Sequence, residues 1–192
     1  MNFSIFAPLL SFATIERYSG MVAILICFAC LVAPTVVLRT NHKSETITQS
    51  TLRNSRARKV VYYGLIVGAF FQALFLGFLQ KHFSMPLFSI GPLLYLSTSV
   101  ATILSALSYG KYPNVHYGVG VYYFIFCPVS VFLISYSVEP NYPTLFLFSL
   151  ATSLLYALGQ LGILVKYRRG NAFMEIWAFF VLAVWTSVMT FS

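Results

Sequence analysis

His116 and Glu175 are the side chains through which this sequence offers acid–base chemistry. The chain has no Asp, and Glu16, Glu45 and Glu139 fall in predicted loops or at helix ends. That leaves one histidine and one carboxylate at the starts of long apolar runs, where an ionisable group is a functional candidate by default. Histidine changes charge near neutral pH, and a neighbouring carboxylate would hold it charged or orient it as a base. Tyr109, Lys111 and Tyr112 stand just before His116, so these five residues form a candidate ligand cavity. Two structural roles compete with that reading. Glu175 in a first helical turn is favoured by the helix dipole, and His116 can simply bond a nearby carbonyl.

Several chemistries lack their residues. A retinal protein needs a Schiff-base lysine in a late span, and the last apolar run has none. Aspartyl proteolysis needs two Asp, and a zinc site needs three or four ligands close together. Cys27 and Cys30 share a helix face with no His, Asp or Glu beside them. These two and Cys127 read as small buried hydrophobes. No metal, cofactor or catalytic residue is assigned. A Ser–His–acid arrangement through Ser105 or Ser108 has no strained-turn signature behind it.

The elements that must position these residues are membrane spans. The chain of 192 residues is 59% hydrophobic and 8% charged, against about 25% charged in a soluble domain. Such a chain cannot cover a water-facing surface. Apolar runs near 19–38, 60–79, 87–109, 114–136, 144–165 and 172–191 each approach the ~20 residues needed to cross a bilayer. The expected fold is an all-α, integral membrane six-transmembrane-helix bundle in one domain, 1–192. Residues 1–17 are apolar but short and contain Pro8, which predicts an interfacial segment with Glu16 and Arg17 at its wet end.

Inside the spans, Gly64 and Gly68 form a small-xxx-small pair that lets another helix approach closely. Gln72 continues the same stripe and should point into the bundle. The hydroxyls of Ser97, Thr98, Ser99, Thr102, Ser105 and Ser108 mark the third span as central. They are expected to bond back to their own helix or across to a neighbour.

Net charge is +8, but the basic residues sit in short loops between apolar runs. This is a topogenic pattern, so no nucleic-acid partner is inferred. Ten of the twelve Lys and Arg fall on one side: six in 39–59, then Lys111, Lys166, Arg168 and Arg169. The other side has Arg17 and Lys81. Loops 39–59 and 166–169 should therefore be cytoplasmic, with both termini outside, in a plasma (cytoplasmic) membrane. The basic end of 39–59 is also suited to anionic headgroups.

The pattern Gly110-x-x-Pro113-x-x-His116, then Tyr122-Tyr123-Phe124 and Pro128, resembles the membrane family catalogued as domain of unknown function 998. Glu175, Trp177 and Trp185 in the last span add to the likeness, which runs from about Val60 to the C-terminus. A more distant likeness is to the six-span family related to Frag1, DRAM and Sfk1, tied to lipid handling. The resemblance implies a six-helix bundle and no established activity.

Three function classes remain open on the residues. The first is a bundle that binds membrane lipid or a small amphiphile in a cytoplasm-facing cavity, or serves as a membrane partner subunit or homo-oligomer. The second is a lipid-modifying enzyme with His116 as base and Glu175 orienting it. The third is a small transporter.

Overall fold

The computed structural model describes residues 11–38, 46–86, 88–167 and 172–192. Arg39, Lys43, Glu45, Arg168, Arg169 and residues 1–10 of the expected interfacial segment lie outside them. The elements are α1 (Phe12–Val37), α2 (Ile47–Thr51), α3 (Ser55–His82), α4 (Ile90–Ser108), α5 (Pro113–Val138), α6 (Pro143–Tyr167) and α7 (Ala172–Phe191). All but α2 are long and apolar enough to cross a membrane. The chain is an all-α, six-helix, multi-pass membrane protein.

The largest departure from the expected spans is at the start. The sequence places span one at 19–38, yet α1 begins at Phe12, capped by Ser11, whose Oγ accepts from the Thr14 amide at 3.2 Å. The charges that suggested a wet end are paired instead. Lys81 Nζ donates to both Glu16 carboxylate oxygens at 2.7 and 2.8 Å. Arg17 Nε donates to the Thr190 carbonyl at 2.9 Å. With partners supplied by α3 and α7, the helix runs through both residues.

The six spans form a closed ring in chain order: α1 packs on α3, then α4, α5, α6 and α7 follow, and α7 returns to α1. Small residues set the closest approaches. Gly64 faces Cys30 and Gly68 faces Cys27, so the predicted small-residue stripe seats α1. Gly91 lies against the α5 backbone at Leu133 and Ile134. Gln72, farther along the stripe, donates to Thr98 Oγ1 on α4 at 3.2 Å.

The third-span hydroxyls behave as expected in a medium without water. Thr98, Thr102 and Ser108 donate to carbonyls one turn back on their own helix. Ser97 also meets the Tyr122 hydroxyl of α5 at 2.7 Å. The main core holds Phe75, Tyr95, Cys127, Tyr156 and Trp185. Trp185 is fully buried, and its indole N–H donates to Ser149 Oγ at 2.9 Å.

Candidate functional site

The chain turns from α4 into α5 as the sequence spacing requires. Tyr109 caps α4, Gly110 adopts φ +73°, and Pro113 opens α5 at its first position. Only glycine takes that φ without strain. A side chain there would also sit 2.9 Å from Leu52.

His116 lies in the first turn of α5 and reaches back to α4. Its Nδ1 is 2.9 Å from the Ser105 carbonyl oxygen and 3.1 Å from Ser105 Oγ. A carbonyl oxygen only accepts, so Nδ1 carries the proton and donates it there. In that tautomer Nδ1 cannot take a proton from Ser105. Ser108 gives its own proton to Leu104 O at 2.7 Å. Neither serine is held as an activated nucleophile.

Glu175, in the first turn of α7, bonds the Ser/Thr-rich stretch 44–55, where the sequence predicts a short surface helix. Its Oε2 accepts from the Ile47 backbone N–H at 2.8 Å. That amide is the first of α2, a five-residue helix between α1 and α3. Thr46 and Gln49 form a reciprocal capping box ahead of it, each side chain accepting from the other's amide at 3.1 Å. The Thr46-x-x-Gln49 spacing was the available signal for this helix. Ile47 and Thr51 are fully buried against Leu31, Val61 and Tyr109, so α2 plugs the basic-loop end of the ring.

Tyr109 is where the predicted residues meet. Its ring lies 5.5 Å from that of His116, and its hydroxyl hydrogen-bonds the Thr51 hydroxyl on α2. Burial pushes the phenol pKa up from its ordinary value. The Thr51 hydrogen bond pulls it back, the Glu175 charge adds to the rise, and Arg58 opposes it. In the ring α5 packs on α4 and α6, and α7 packs on α6 and α1. The His116 contacts with Ser105 lie on α4 and the Glu175 bond to Ile47 lies on α2, with Tyr109 beside both.

Beside this junction a groove of about 380 Å³ opens at the basic end. Three cationic side chains, Arg58, Lys59 and Lys111, line it with three tyrosines, Tyr62, Tyr63 and Tyr109. Leu107 and Gly110 complete the wall. Of the five predicted residues, Tyr109 and Lys111 line it, whereas His116, Tyr112 and Glu175 do not. Arg58 and Lys59 come from the first turn of α3, and Tyr62 and Tyr63 follow one turn on, on the same face. That basic-then-aromatic spacing is the signal for the groove in the sequence, where it coincides with the topogenic charge pattern.

The groove can hold an anion against three positive charges, with phenolic hydroxyls as further hydrogen-bond partners. An arginine fork suits a phosphate or carboxylate bidentately. Among the described residues, no three His, Cys, Asp or Glu side chains gather as a metal site. No family model, curated protein or solved structure matches the chain.

Proposed function

We propose that this protein binds the anionic headgroup of a membrane lipid in the groove between the start of α3 and the α4–α5 turn. The supporting observation is the convergence of Arg58, Lys59 and Lys111 with Tyr62, Tyr63 and Tyr109 at the end of apolar spans. Basic residues near an anionic membrane surface contribute about 1 kcal/mol each, and tyrosine favours the interface where headgroups lie. Leu107 offers apolar surface below the charges. With the positive-inside arrangement this is an inner-leaflet lipid. The resemblance to the domain of unknown function 998 family implies no activity of its own, so the reading rests on the groove.

Lipid retention tests it. The protein is released from nanodiscs of mixed phosphatidylcholine and phosphatidylglycerol, and bound lipid is counted by native mass spectrometry. Wild type should keep phosphatidylglycerol preferentially. A variant carrying Arg58→Gln, Lys59→Gln and Lys111→Gln should lose that preference about tenfold or more. Lys166→Gln, a charge change at the same end but outside the groove, should leave it nearly intact. Equal losses in both variants would mean that net charge, not the groove, attracts the lipid.

A further inference from the structure

The ring lines a second, partly open cavity of about 40 Å³, away from the basic groove. Its polar lining is Cys27 of α1, Gln72 of α3, Tyr95 and Thr102 of α4, Tyr123 of α5 and Thr186 of α7. Five of the six spans thus present a neutral hydrogen-bonding or thiol group to one small space, and no charged side chain lines it.

Its depth follows from helix rise. At 1.5 Å per residue, Tyr123 lies about 15 Å along α5, Thr186 about 21 Å along α7 and Gln72 about 25 Å along α3, all measured from the basic end. The hydrocarbon core is about 30 Å thick, so the cavity is at mid-membrane depth. Polar groups there must find partners inside the protein. Some have done so: Gln72 donates to Thr98, and Thr102 to the Thr98 carbonyl. Tyr95 and Gln72 also share a side-chain hydrogen bond, and the Thr102 hydroxyl keeps its acceptor lone pairs. In the adjoining core, the Tyr156 hydroxyl is buried without a hydrogen-bond partner.

We propose that this cavity is an internal hydration site holding a small cluster of ordered water. One water needs about 10–15 Å³ together with two to four polar neighbours, and this space and lining meet both needs. Apolar cavities stay dry; most of this wall is apolar too, through Gly20, Ala23, Ile24, Phe179 and Leu182, and the water is held where one amide, two tyrosines, two threonines and a thiol interrupt it. It is too small for a lipid chain or headgroup, so its occupant differs in kind from that of the groove. The water bridges Thr186 of α7 to the α3–α4 pair that the Gln72–Thr98 bond already joins.

Cys27 gives a site-specific readout, because a thiol exchanges S–H for S–D only when water reaches it. Wild-type protein in nanodiscs is transferred to deuterated buffer and its S–H infrared band followed, with Cys27→Ala and Cys127→Ala used to assign the bands. Cys127 is fully buried and does not line the cavity. Cys27 should exchange at least tenfold faster than Cys127. Equal rates, or a Cys27 band that persists longer, would overturn the proposal. A variant-free measurement stands beside it: solid-state NMR transfer from water protons should reach the Thr102 and Thr186 methyl groups and not those of buried Val131. Silence at both threonines would mean a dry cavity.

Discussion

The residue that ties this structure together is Tyr109. The sequence placed it beside a candidate cavity; the structure makes it a wall of the groove, a neighbour of His116 and the bonding partner of Thr51. Its acid–base behaviour yields a prediction with a definite sign. The buried phenol holds its proton above the ordinary pKa of 10.0. Below that pH its contribution to docking α2 is fully present. As pH rises past 10, the detached form loses its proton first, so docking weakens until the raised value is passed. Limited trypsinolysis at Arg53 and Arg56 should therefore accelerate above about pH 10 relative to an unstructured control peptide. Tyr109→Phe should flatten that rise, while an unchanged profile in the variant would place the alkaline sensitivity elsewhere. Glu175 belongs to the same junction. A hydrogen bond to a charged group contributes about 1.5–3 kcal/mol. Glu175→Ala should thus release α2 at neutral pH, raising cleavage at Arg53 at least several-fold without unfolding the spans, as judged by far-UV circular dichroism.

At the scale of elements, closeness is decided by what a helix lacks. At Gly91 a Cβ would meet backbone atoms of Ile134 and Leu133 at 2.8 Å, which cannot move aside cheaply. At Gly118 it would meet nothing within 4 Å. Gly91→Ala should cost about 1–3 kcal/mol by forcing α4 from α5, whereas Gly118→Ala should be neutral or stabilising by up to about 1 kcal/mol. Thermal melts in detergent compare the two, and similar shifts would contradict the packing described. The spans themselves were legible because a bilayer dictates their length. Four of the six starts agree with the sequence reading to within about three residues. The start of α1 was not, because the partners that let Glu16 and Arg17 stay helical are Lys81 and Thr190, far along the chain. Nor was the neighbour order, since a lipid-facing Leu and a helix-facing Leu are equally apolar. Of the candidate site, Tyr109 and Lys111 were legible from their place at a span boundary. Arg58 and Lys59 were visible as charges but not as walls of a groove.

For the whole molecule, a ring with an even number of spans puts Phe12 and Phe191 at one end, with Arg17 and Lys81, and Arg58, Lys59, Lys111 and Lys166 at the other. Ring contact between Tyr18 and Phe191, at 6.1 Å, confirms that α1 starts beside the end of α7. The charge asymmetry predicts that this shared end is external. Single cysteines at Asn141 and at Lys111, in a background with the native cysteines replaced, test it with an impermeant maleimide on intact cells. Asn141→Cys should label at once and Lys111→Cys only after permeabilisation. The reverse pattern would invert the topology and move the groove to the outer leaflet.

The closing of the ring also has a history in time. Ile47 and Glu175 are 128 residues apart, and Arg17 and Thr190 are 173 apart. At a synthesis rate of about 5–20 residues per second, the segment that becomes α2 waits roughly 6–26 s for its carboxylate. Throughout that interval the growing bundle is an open arc, with Gln72 and Tyr95 beside an unfilled seam. The final helix delivers Glu175, Thr186 and the carbonyl of Thr190 together. A single insertion event thus fastens the plug, completes the inner cavity and joins the first helix to the last. Before that step the Ile47 amide and the Arg17 guanidinium lack their Glu175 and Thr190 partners, whereas the Gln72–Thr98 bond between α3 and α4 is already available.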